Sequence, residues 1–121
     1  MSKKIMVVDD SRIAQLQLQE ILADTEYEVV GCCQSGEEAL DTFEKAQPDL
    51  VTMDIVMPGM DGLDAARLIL EKHPNAKVLV ISSLAYDDTI NEATRLGAKG
   101  FVYKPFDHDQ ILEAFSKAFN E

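Results

Sequence analysis

Five short apolar runs, rich in β-branched residues, punctuate the chain at positions 4–8, 28–32, 50–53, 77–81 and 100–103. Each has the length of a strand. Most are apolar throughout rather than alternating, as a parallel sheet covered on both faces requires. Between them, polar and apolar positions recur at helical spacing. Positions 11–24 put Ala14, Leu18, Ile21 and Leu22 on one face and leave Leu16 off it. Positions 36–45 carry Ala39, Leu40 and Phe43 and stop before Pro48, and positions 63–72 carry Ala66, Ile69 and Leu70 and stop before Pro74. A fourth helix, 86–96, is closed by Gly97, a residue suited to a left-handed C-terminal stop. A fifth opens with Asp107 and Gln110 at capping-box spacing and buries Ile111, Phe115, Ala118 and Phe119. The βα unit therefore occurs five times. This predicts an α/β fold, (βα)5 and doubly wound, with a parallel five-stranded sheet, helices on both faces and right-handed crossovers. No linker, low-complexity tract or solenoid repeat interrupts it, so residues 1–121 are read as a single domain.

Composition narrows the class. The 121 residues suffice for one domain, and 46 % of them are hydrophobic, which is enough for a core. No apolar run approaches the roughly 20 residues of a membrane span. The basic start, Met1-Ser2-Lys3-Lys4, meets Asp9-Asp10 after a short apolar run and does not read as a signal peptide. A cytoplasmic location without membrane insertion is expected. The 22 acidic residues against 11 basic ones give a net charge of −11. Such a surface repels nucleic acid and favours cations or positively charged partners. The only cysteines, Cys32 and Cys33, sit in an apolar run and read as reduced, buried or half-buried strand thiols. His73 and His108 do not stand at metal-ligand spacing from them.

The polar residues acquire meaning once placed on this map. Asp9 and Asp10 follow the first strand, Asp54 the third, Ser82 closes the fourth and Lys104 follows the fifth. Doubly wound sheets gather active groups beyond the carboxyl ends of their strands, so all five residues should meet at one edge. Singly, each has an ordinary explanation: a helix cap at Asp10, a loop acid at Asp54, a strand exit at Lys104. Together they are a chemical set. Three close carboxylates repel one another, and a hard divalent cation with oxygen ligands, Mg2+ or Mn2+ in its place, resolves the repulsion. A carboxylate nucleophile, a metal, a lysine and a hydroxyl donor form a site for phosphoryl transfer onto aspartate.

The motifs that carry these residues are Val7-Val8-Asp9-Asp10-Ser11, residues 49–54 with Met57-Pro58-Gly59-Met60-Asp61-Gly62, Val80-Ile81-Ser82-Ser83, residues 97–101 and Lys104-Pro105-Phe106. Over its whole length the chain resembles the receiver domains of two-component response regulators, in particular the stand-alone, CheY-like regulators of chemotaxis. The resemblance implies a flavodoxin-like sheet of strand order 2-1-3-4-5. It implies Asp54 as phosphoacceptor, Asp10 as a direct Mg2+ ligand, Asp9 as a partner through water, and the backbone carbonyl of Val56 as a further ligand. It implies Ser82 and Phe101 as the switch pair, Lys104 as partner of the phosphoryl group, and a cis peptide before Pro105. It further implies a signalling protein that catalyses its own phosphorylation and slow dephosphorylation rather than an enzyme with a turnover substrate. A histidine kinase or phosphotransfer protein would dock over the first helix, where Leu16 is an exposed apolar candidate. A downstream protein would read the surface of the fourth helix, fifth strand and fifth helix, including Tyr86 and Tyr103. Val56 and Leu84 flank the path of the water that attacks an acyl phosphate. As two apolar residues they are expected to prolong the phosphorylated state.

Rival readings stay open at this point. The chain ends at Glu121 without a basic helix-turn-helix, so DNA binding by that route is not expected of it, but it could be the receiver of a DNA-binding response regulator. A phosphatase with an aspartate nucleophile would place an acid where Val56 stands. A flavin carrier would need a phosphate loop where Asp9 and Asp10 repel phosphate. A binding module working without phosphate would have little use for the complete set of five.

Overall fold

The apolar runs do lie side by side. The computed structural model describes residues 3–83 and 87–120, so Leu84, Tyr86 and Glu121, named above, lie outside the described residues. Its elements are β1 (Lys3–Val8), α1 (Arg12–Leu22), β2 (Tyr27–Cys33), α2 (Gly36–Ala46), β3 (Leu50–Met53), α3 (Gly62–Lys72), β4 (Val78–Ser82), α4 (Asp87–Leu96), β5 (Gly100–Tyr103) and α5 (His108–Phe119). All strand pairs are parallel and the order is β2-β1-β3-β4-β5, the doubly wound, flavodoxin-like arrangement expected from the sequence.

Why the strands lack alternation is visible in the two cores. Side chains alternate across a strand, and here both faces are covered. Met6, Val8, Val51, Met53 and Val80 pack with Ala39 and Phe43 of α2, Ala66 and Ile69 of α3, and Ala93 of α4. Ile5, Val7, Leu79, Ile81 and Val102 pack with Leu18 and Leu22 of α1 and with Ile111, Phe115 and Ala118 of α5. At the sheet's edge β2 is mostly half-buried.

The helix starts follow the local chemistry. Ser11, Ser35, Asp61 and Asp107 accept N–H bonds at the starts of α1, α2, α3 and α5, and Asp107 with Gln110 completes a capping box. Gly97 takes the left-handed conformation at φ 103° after α4. Two expectations need correction at α1. The helix ends at Leu22 rather than Asp24, because Ala23 is already extended and Asp24 turns left-handed at φ 61°. Its inward face is also rotated from the expected one: Gln15, Leu18 and Leu22 are buried, whereas Ala14 and Ile21 are only half-buried. A polar side chain occupies the first inward position because its amide satisfies backbone carbonyls there, as described below.

Candidate functional site

Three backbone hydrogen bonds prolong the sheet just past its strands. Asp9 N–H donates to Cys33 O at 3.1 Å, Asp54 N–H to Val8 O at 2.9 Å, and Lys104 N–H to Ser82 O at 2.9 Å. They carry the strand register into the loops and hold Asp9 beside Asp54 and Lys104 beside Ser82. Behind Asp54 the start of α3 presses close. Gly62 N–H donates to Ile55 O at 2.8 Å, and a Cβ on Gly62 would fall 1.8 Å from the Asp54 carbonyl oxygen. Only glycine fits there.

The side chains converge accordingly. One carboxylate oxygen from each of Asp9, Asp10 and Asp54 lies within 4.8 Å of the other two. Asp9 and Asp54 are buried and Asp10 is exposed. Lys104 Nζ donates to Asp9 Oδ2 at 2.7 Å and stands 3.5 Å from Asp54 Oδ2. The other oxygen of Asp9 accepts the Ser11 N–H at 2.9 Å. Ser82 is wholly buried at the end of β4. All five residues picked from the sequence therefore come to one edge of the sheet.

The electrostatics follow from burial and like charge. Burial, then the charge of Asp9, pushes the Asp54 carboxyl from 3.8 up to about 6, against the pull of Lys104. At Lys104 burial opposes the ammonium, yet the hydrogen bond to Asp9 and the charges of Asp54 and Asp9 outweigh it and raise its pKa above the ordinary value. One lysine, paired with Asp9 and Asp54, stands against three acids. The set is all hard oxygen, tightly spaced and short of positive charge, which is the chemistry that suits Mg2+. Cys33 is no competing nucleophile, since burial pushes its thiol up to about 11.

The remaining named residues surround this centre. Val56, two residues past Asp54, is exposed by 53 %. Phe101 is half-buried, leans on the α2–α3–α4 core, and its ring lies 5.2 Å from that of the exposed Tyr103. The Lys104–Pro105 peptide is cis. On α1, Leu16 is exposed by 48 %, and so is a residue not singled out from the sequence, Ile13, by 70 %. Gln15 was also missed. It is 1 % exposed and bonded directly to the Asp9 backbone. The apolar face read from the sequence did not include it; its spacing from Leu18 and Leu22, three and seven residues, was the available signal.

Among the described residues no helix is long and apolar enough to cross a membrane. Residues 5–116 match the family model described as response regulator receiver domain. The chain is 39 % identical over 117 residues to the chemotaxis protein CheY of Thermotoga maritima, covering 97 % of this chain and 98 % of that one. It is 40 % identical over 115 residues to the chemotaxis protein CheY of Listeria monocytogenes, covering 95 % and 97 %. Among solved structures, the CheX–CheY–BeF3–Mg2+ complex from Borrelia burgdorferi superposes with a TM-score of 0.93 at 32 % identity, covering 97 % of this chain and 89 % of that chain.

Proposed function

The chain belongs to the response regulator receiver domain family, and on that premise we propose that it acts as a single receiver domain that accepts a phosphoryl group on Asp54 and switches partner binding in response. The observation that carries the reading is the meeting of Asp9, Asp10 and Asp54 within 4.8 Å, with Lys104 bridging two of them.

In the proposed reaction a carboxylate oxygen of Asp54 attacks the phosphorus of a phosphohistidine on a kinase or phosphotransfer protein. The new P–O bond forms as the P–N bond breaks, and the histidine ring leaves and regains a proton. Asp10 and Asp54, with Asp9 behind them and the Val56 carbonyl, would hold Mg2+. Bound there, the ion would neutralise the acids and the charge on the transferring oxygens. Lys104 has its ammonium poised between Asp9 and Asp54 to pair with a phosphoryl oxygen, and its raised pKa keeps it charged at neutral pH. Ser82 supplies a hydroxyl from the end of the neighbouring strand. Its movement toward the phosphate would draw Phe101 inward and alter the face formed by α4, β5 and α5, where Tyr103 is exposed.

The relatives' names support a role in chemotaxis signalling, and that face is the surface proposed for a downstream protein target. The Borrelia burgdorferi complex of CheX and CheY contains BeF3 and Mg2+, which supports a cation-assisted reading of the acidic site. Mass spectrometry after treatment with acetyl phosphate and Mg2+ tests the proposal. The native protein should gain one phosphoryl group and Asp54→Asn none. An equal adduct on both would remove Asp54 from the reaction.

A further inference from the structure

Among the described residues Gln15 is one of few buried polar side chains, and both ends of its amide are hydrogen-bonded. Its Nε2 donates to the carbonyl of Asp9 at 2.7 Å and to the carbonyl of Cys33 at 3.1 Å. Its Oε1 accepts from Arg12 Nη1 at 2.9 Å. Three chain segments thereby meet on one side chain: the exit of β1, the end of β2 and the first turn of α1. Asp9 is held from three further sides, by its N–H to Cys33 O, by Ser11 N–H on one carboxylate oxygen and by Lys104 on the other. Without Gln15, the Asp9 carbonyl would be the group of that residue with no anchor among these.

We infer that Gln15 is a positioning residue for the acidic site: it fixes the Asp9–Asp10 peptide from beneath, so that both carboxylates stay turned toward Asp54. The inference rests on the proposed Mg2+-dependent chemistry. The requirement is specific to an amide. The two Nε2 hydrogens reach two carbonyl oxygens in a fork while Oε1 accepts from the Arg12 guanidinium. A carboxylate would set lone pairs against lone pairs, and an apolar side chain would take the Gln15 donor from the Asp9 carbonyl and leave Cys33 O with the Asp9 N–H alone. The three acids repel one another, so their approach depends on backbone restraint until a cation arrives. Groups that orient metal ligands from behind typically change metal affinity ten- to a hundred-fold when removed.

The test is Mg2+ binding by calorimetry on the intact protein, paired with thermal unfolding in EDTA. Gln15→Met keeps the volume and removes the amide, and Gln15→Asn keeps the amide but shortens its reach. Leu18→Ala, one turn further along the same buried face, serves as a control that loosens α1 without touching Asp9. Both Gln15 variants should bind Mg2+ at least about ten-fold more weakly than the native protein. Leu18→Ala should hold native affinity despite a comparable fall in Tm. Native affinity in a folded Gln15 variant overturns the inference while leaving the Asp54 reading intact. Equal weakening in Leu18→Ala reduces Gln15 to a packing residue and overturns it as well. Failure of the native protein itself to bind Mg2+ would overturn the underlying reading and this inference together.

Discussion

At Asp54 the ionised form is held under opposition from burial and from Asp9, with the carboxyl at about 6 against 3.8 when unperturbed. The sign of the consequence follows. The fold favours the protonated acid, a contribution complete below about 3.8 and lost as pH rises through about 6. Above that range the metal-free protein bears roughly 2–3 kcal/mol for ionising this group. Asp54→Asn in EDTA should therefore raise Tm at about pH 8 and do so much less at about pH 4. Equal gains at both pH values would contradict the assignment. Two residues on, Val56 presents an apolar side chain to solvent beside the site, and with Leu84 it is proposed to keep attacking water unoriented. A Val56→Asn, Leu84→Glu double variant should lose its phosphate faster than the native protein in a radiolabel chase. Faster loss from the native protein would reject that role.

Helix α1 divides its labour by face. Gln15, Leu18 and Leu22 turn inward, while Ile13 and Leu16 stand in solvent next to the acidic edge. Apolar side chains there contribute nothing to the core, and burying each in a partner would be worth about 1.5–3 kcal/mol. Replacing both with Ser should slow phosphotransfer from a phosphohistidine donor by about ten-fold or more, with Tm and the rate from acetyl phosphate unchanged. Equal slowing with both donors would place the effect in the site rather than in docking. The same helix shows where pattern reading strains. The start of α5 was legible because the Asp107–Gln110 capping box is a local exchange of hydrogen bonds, whereas α1 is capped by Ser11 rather than by Asp10. The end of α1 was not, since the turn at Asp24 follows from the chain's need to enter β2 at Tyr27.

For the molecule as a whole, a net charge of −11 and a shared lysine leave the carboxyl edge of the sheet short of positive charge. A divalent cation that binds the folded state alone should raise Tm with concentration. Mg2+ at millimolar levels should do so beyond what NaCl of equal ionic strength achieves by screening. Asp54→Asn should gain less from it. Identical responses to the two salts would argue against a specific cation site.

Sequence alone determined the five βα units, because unalternating apolar runs can be buried only between two helical layers. It determined the candidate set Asp9, Asp10, Asp54, Ser82 and Lys104 as well, since a parallel sheet sends every strand exit to the same edge. It even marked Leu16 as an outward apolar residue, by helical phase. What only the tertiary structure decided was how those exits are spaced and braced. The 2.7 Å contact between Lys104 and Asp9 spans 95 positions and depends on strand order, not on anything local. The inward turn of Gln15 depends on two carbonyls brought to it by β1 and β2, 6 and 18 residues away in sequence. Hydrophobic periodicity is blind to such a residue because it counts polarity. The interior accepts a polar group wherever the fold has already assembled its partners.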